Sequence, residues 1–284
     1  MRVHDDELEI DERLVRALLA EQFPQWAGLP LERAGDGTVN VIYRLGPDLS
    51  VRLPRIEWAA EAGNHRDRDV LPLLAPHLPV DVPRMVALGR PGAGYPWSWS
   101  IFGWIDGEHP AGLQAADDVA SFVLALQAID TDGAPEPAGD RGRPLARRDQ
   151  HVRAALERVP APGALELWQE AMRAPEWEQP SVWIHCDLDA RNVLLRNGRL
   201  AAVLDWGGVG AGDPAVDVMV AWKLVAREQR DRFRELLQVD EATWLRARGW
   251  CVSQALIALA YYTPESNPPL HAEATRWLAE VLAS

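Results

Sequence analysis

HCDLDARNVLLRNGRLAAVLDWGGVGAGDPAVD, residues 185–217, is the stretch that decides how this chain is read. Two apolar runs, VLLR (193–196) and RLAAVL (199–204), flank Asn197-Gly198, a strong signal for a tight hairpin. A hairpin reverses the chain, so Asn192, before its first strand, and Asp205, after its second, are expected to be neighbours. An amide oxygen and a carboxylate that converge in this way are hard oxygen ligands of the kind Mg²⁺ takes while keeping water and binding phosphate oxygens. Asp187, on the short loop leading to Asn192, is placed to orient and deprotonate a hydroxyl. A lone Asp or Asn beside a turn more often caps backbone groups. Three of them at this spacing point to phosphoryl transfer to an alcohol, where catalysis is mainly positioning and charge neutralisation. His185 reads as a buried imidazole that bonds the loop backbone.

Outward from this island the pattern is helical. Val119, Phe122, Val123, Leu126 and Ile129 form one stripe of a helix over 117–130, and further helices are predicted over 147–159, 164–173, 214–228, 241–261 and 271–283. The Pro/Gly-rich residues 131–144 read as an exposed loop. The first hundred residues differ. A helix capped near Asp11 precedes strand pieces joined by a turn at Gly46-Pro47-Asp48, then a polar helix over 57–74, then strands in MVALG (85–89) and WSWSIFGW (97–104). The expected class is α+β, with a small β-rich N-terminal lobe over 1–104 and a larger, mainly helical lobe over 105–284.

The 284 residues are 48% hydrophobic and carry 42 acidic against 29 basic side chains, a formal charge of −13. That balance argues against nucleic-acid or anionic-lipid partners and suits cationic small molecules. Acids such as Asp130, Asp132 and Asp149 weigh the same way. Two cysteines make no disulfide framework, no secretory leader or membrane-length apolar run is evident, and a cytoplasmic setting is expected. The only lysine is Lys223; all other basic side chains are arginine.

The order His-x-Asp-x-x-x-x-Asn, strand pair, Asp in residues 185–217 resembles the aminoglycoside phosphotransferase family, whose members have a protein-kinase-like, two-lobed fold. The resemblance implies ATP or GTP as donor, Mg²⁺ as cofactor, and a small-molecule hydroxyl as acceptor, on an aminoglycoside or a related antibiotic or metabolite. It implies Asp187 as catalytic base, Asn192 and Asp205 as Mg²⁺ ligands, and Asp213 and Asp217 as structural acids. In the first lobe it implies that Arg52 grips the nucleotide phosphates, with Asp67 or Glu61 as its acidic partner. Gly35, Gly37, Thr38 and Asn40 would form the phosphate-covering turn, and Gly103 carbonyl and Ile105 N–H would read the base edge.

The departures are specific. Arg52 stands where kinase-like folds place a lysine, a tolerable exchange because a guanidinium also bridges phosphate oxygens. That exchange leaves open a nucleotide-binding module without turnover. Cys186 replaces a common Gly, and Asp189 and Arg191 replace smaller or neutral residues; an Asp189–Arg191 pair is expected. A dinucleotide-binding reading of the glycines after Asp205 fails because Asp213 takes the third glycine position and no βαβ unit precedes them. A metal-dependent hydrolase built on His185, Asp187, Asp189 and Asp205 lacks further histidines at ligand spacing.

Overall fold

The computed structural model describes residues 7–36, 39–62 and 65–284, which divide into two compact units, one made of the described residues up to 76 with 81–106, the other of 77–80 with 107–284. The first unit opens with α1 (Glu12–Gln22), whose N-cap Asp11 accepts from Leu14 N–H at 2.9 Å. Five strands follow, β1 (Leu31–Asp36), β2 (Asn40–Leu45), β3 (Leu49–Pro54), β4 (Met85–Gly89) and β5 (Trp99–Gly103), in the all-antiparallel order β1-β2-β3-β5-β4.

Period-two alternation positions the working side chain here. Val51 and Leu53 on β3 enter a core with Val15, Leu18, Leu19, Tyr43, Trp99 and Ile101, so Arg52 between them emerges on the opposite face. The stretch expected as a helix over 57–74 is helical at every described residue, with a π-type segment inside it. It consists of α2 (Glu57–Ala62), a π-type turn Arg66–Val70 and α3 (Leu71–Leu74), with Pro72 in the first turn of α3, where proline's missing N–H is tolerated. The turn buries Asp67.

The second unit contains α4 (Ala116–Gln127), α5 (Asp149–Arg158), α6 (Ala164–Arg173), α7 (Ala215–Val218), α8 (Val220–Lys223), α9 (Arg230–Leu237), α10 (Glu241–Tyr261) and α11 (Pro268–Leu282). Among them lie β6 (Val182–Ile184), β7 (Val193–Arg196), β8 (Arg199–Val203) and β9 (Gly210–Gly212); β7 pairs with β8 and β6 with β9. Asn197 and Gly198 both take positive φ, 52° and 75°, as the tight hairpin turn requires.

Two expectations are corrected here. The chain over 214–228 is not one helix: α7 and α8 are short, and a bridge from Val225 to Gln114 ends the helical run. Residues 215–225 are all buried, so no polar face marked the break, and α9 went unread. Residues 131–144 are not simply exposed. Ala138 N–H bonds Gly208 O at 3.2 Å, Ala211 N–H bonds Pro135 O at 2.9 Å, and Asp213 N–H bonds Gly142 O at 3.2 Å. A Cβ on Gly210 would lie 2.4 Å from Pro137 N, and one on Gly212 3.0 Å from Gly142 Cα. The glycines after Asp205 thus serve backbone-to-backbone approach.

Candidate active site

In the first unit Arg52 is held from two sides. Its Nη1 lies 3.3 Å from Asp67 Oδ2, and Asp67 is 4% exposed. The Asn40 amide, turned with its oxygen toward the guanidinium, accepts from Nη2 at 3.0 Å and Nε at 3.1 Å. Asn40 is buried at the start of β2 and serves Arg52, where the sequence suggested a donor toward phosphate. The result is a pre-oriented, partly exposed cation, suited to bridging anionic oxygens. The side chain of Glu61, and Gly37 and Thr38, lie outside the described residues; Gly35 sits near the end of β1, past a register shift. At the other end of the sheet, Gly103 closes β5 with its N–H on Arg84 O at 2.9 Å. Ile105 N–H makes no hydrogen bond among the described residues.

In the second unit the 185–192 loop is tied down residue by residue. Asp217, from α7, accepts from His185 N–H at 2.7 Å and Cys186 N–H at 2.8 Å. Burial pushes the Asp217 carboxyl above its usual range although these two N–H groups oppose the shift. Cys186 has φ +79°, in the left-handed region, which explains why glycine is natural there and shows the loop to be held under local strain. The fully buried His185 donates from Nε2 to Leu204 O at 2.9 Å and accepts from Asp187 N–H at Nδ1 at 3.3 Å, with Trp206 edge-on at 4.8 Å. It is a structural imidazole, as expected. Asp213 and Arg246 make a buried two-point ion pair at 2.7 and 3.1 Å, and Asp213 also accepts from Ala215 N–H.

Asn192 Nδ2 donates to Asp187 O at 2.8 Å and lies 3.4 Å from Asp187 Oδ2. That commits its nitrogen and leaves Oδ1, which meets no donor among the described residues. Leu204 N–H bonds Asn192 O at 2.7 Å, extending the hairpin ladder by one step and placing Asp205 next to it in the chain. Asp205 itself takes φ 57°, ψ 70°, a left-handed turn out of β8. An amide oxygen and a carboxylate at the base of one hairpin fit Mg²⁺, which fills its remaining positions with water and phosphate oxygens. Among the described residues no three His, Cys, Asp or Glu side chains gather as a metal-ligand group. The four hydrolase candidates are therefore not one cluster.

Asp189 pairs with Arg191 as expected: the carboxylate accepts from Arg191 N–H at 2.9 Å and from Nη2 at 2.6 Å. What sequence reasoning missed is the second cation on this loop. Lys223, fully buried at the end of α8, brings Nζ to 3.7 Å from Asp187 Oδ1 and 3.6 Å from Asp189 Oδ2. The only signal was compositional, a single lysine in an arginine-rich chain. Arg141 adds a third, its side chain lying alongside Gly208. Desolvation pushes the Asp187 carboxyl up, but Lys223, Arg141 and Arg191 outweigh it and hold the group below the usual carboxylate range. Asp187 is thus ionised at neutral pH while its side chain remains 30% exposed. Two acids that suggested a cationic acceptor are committed locally: Asp149 to Arg153 and to Trp168 Nε1, both at 2.8 Å, and Asp130 to Asp132 N–H at 3.1 Å.

A sequence profile described as the phosphotransferase enzyme family matches residues 30–250. No curated protein sequence matches the chain. Among solved structures, a GDP complex of an aminoglycoside 2′-phosphotransferase-IIIa variant aligns with TM-score 0.72 at 20% identity, over 96% of this chain and 98% of that one. The macrolide 2′-phosphotransferase MphH from Brachybacterium faecium aligns with TM-score 0.64 at 20% identity, covering 94% and 98%. A streptomycin–ATP complex of APH(2″)-IIa aligns with TM-score 0.60 at 16% identity, covering 88% and 91%. At these identities the likenesses establish the two-lobed kinase-like fold.

Proposed function

This chain belongs to the phosphotransferase enzyme family, and from that premise we propose that it transfers the γ-phosphoryl group of ATP or GTP to a hydroxyl of a small molecule, an aminoglycoside or a related antibiotic or metabolite. The observation that carries this reading is the Asp187–Asn192 arrangement: an ionised, accessible carboxylate braced by an amide whose own oxygen stays available. Asp187 orients the acceptor hydroxyl and takes its proton as the oxygen attacks phosphorus. Asn192 and Asp205 would hold Mg²⁺, which when bound neutralises phosphate oxygens. Arg52, steadied by Asp67 and Asn40, grips the nucleotide phosphates as a fixed guanidinium. Gly103 carbonyl and Ile105 N–H would meet the edge of the base.

Both nucleotide classes remain within the proposal, because similar folds were solved with GDP and with ATP. The intact Asp187, Asn192 and Asp205 set supports turnover over a nucleotide-binding module without it. The test is an assay of ADP or GDP release with Mg²⁺ present, run on aminoglycosides, macrolides and amino sugars, with the phosphorylated product identified by mass. Acceptor-dependent release is expected. Nucleotide binding without release on the whole panel would overturn the reading.

A further inference from the structure

Lys223 is a buried charge that the mechanism above does not use. Its Nζ donates to Gln254 Oε1 at 3.1 Å, lies 4.3 Å from the centre of the Trp277 ring, and faces Asp189 Oδ2 and Asp187 Oδ1 at 3.6 and 3.7 Å. These neighbours come from α10, α11 and the catalytic loop, and Gln254 also reaches that loop through Nε2 to Cys186 O at 3.4 Å. Taking an ammonium fully out of water is costly unless its partners compensate. Asp189 does not require it, because Arg191 already engages that carboxylate through Nη2 at 2.6 Å. Asp187 has no other cation within 4 Å among the described residues; Arg141 and Arg191 act on it from farther away.

The geometry at Asp187 is two-sided. Asn192 Nδ2 stands 3.4 Å from Oδ2, and Lys223 Nζ stands 3.7 Å from Oδ1. At that separation Lys223 attracts Oδ1 without forming the short hydrogen bond that would occupy it. The oxygen stays available to a hydroxyl proton while the carboxylate is kept from rotating. Asp187 and Asp189 face Lys223 and Arg191 in one cluster, with Asp189 and Lys223 fully buried and Asp187 and Arg191 partly exposed.

We propose that Lys223 is a positioning residue for phosphoryl transfer, fixing the Asp187 carboxylate by attraction at Oδ1 while Asn192 braces Oδ2. The proposal rests on the phosphotransferase reading for its kinetic consequence, though not for its geometric one. Lys223→Met keeps the length and the packing under Trp277 and removes the charge. With the acceptor identified by the panel above, kcat is expected to fall on the order of 10²-fold, as for a misplaced catalytic group, with the nucleotide KM unchanged within twofold. In an Asp187→Asn background the same substitution should cost nothing further, since Lys223 acts through Asp187; a merely structural lysine would add its cost to both backgrounds. Lys223→Gln, which keeps polarity toward Gln254, should show the same kcat loss and serves if the Met variant does not fold.

Wild-type kcat in either folded variant would overturn the proposal, as would an undiminished loss in the Asp187→Asn background. A crystal structure of Lys223→Met or Lys223→Gln is independent of turnover. The Asp187 carboxylate should rotate away from Asn192, and an unmoved carboxylate would overturn the positioning role. Should the wild type release no nucleoside diphosphate with any acceptor, the functional reading fails and that crystal structure still decides this one.

Discussion

Two buried ion pairs in the second unit are made from similar parts and built to opposite tolerances. Arg246 meets Asp213 through two nitrogens at 2.7 and 3.1 Å and spends its other contacts on Pro175 O and Thr243 Oγ1. Nothing about that pair is left available, and it ties α10 to the chain just before α7. Lys223 meets Asp187 at 3.7 Å, through one point charge, and leaves the carboxylate 30% exposed. The tight pair is saturated and the loose one keeps an oxygen in reserve. Saturation is what a fold requires of a buried charge, and reserve is what a reaction requires of a base.

The comparison can be broken by substitutions that should give opposite signatures. Asp187→Ala should lower kcat by about 10³-fold or more per folded molecule while nucleotide is still bound; an active Asp187→Ala enzyme would remove the functional half of the contrast. Arg246→Met should do the reverse. Leaving Asp213 buried without its partner is expected to cost about 3–5 kcal/mol by denaturant unfolding, with kcat per folded molecule retained. Arg52→Ala tests a third pair, intermediate in design, since Arg52 is steadied by Asp67 yet partly exposed. The nucleotide KM should rise about tenfold or more, the worth of one charge-assisted contact, with a smaller change in kcat.

The smallest effect sharpens the structural end of the scale. Asp240 caps α10, accepting from Thr243 N–H at 2.7 Å, and this bond holds its carboxyl below the usual range. Because the folded pKa is depressed, the capping stability is present at neutral pH and lost as pH falls through that lowered value. Asp240→Ala should lose about 1 kcal/mol at neutral pH and flatten this part of the acid unfolding curve, as followed by circular dichroism.

How much could be read in advance depended on how far apart the partners lie. The β7–β8 hairpin, the Asp187-to-Asn192 loop and α4 were legible because each is specified within one contiguous stretch: a turn dipeptide, a fixed spacing, an apolar stripe. The Arg52–Asp67 pairing was legible as a choice between two acids, and β3 alternation fixed the face on which Arg52 emerges. Wherever every residue is buried, as over 215–225, the polar face that reveals a helix is missing and its breaks are invisible. The strand made of Gly210, Ala211 and Gly212 has almost no side chain to signal it; only the approach of Pro137 and Gly142 explains the glycines.

From its sequence alone the chain determined its α+β class, the hairpin that brings Asn192 and Asp205 to one end, and the acid and amide of the 185–192 loop. These are consequences of local conformational preference, which acts between neighbours in the chain. Tertiary structure alone decided that Lys223 faces Asp187, that Asn40 serves Arg52, and that residues 131–144 cover β9. Those outcomes follow from desolvation and close packing, which act between groups that only folding brings together, and a buried cation takes its meaning from whichever carboxylate the packing leaves beside it.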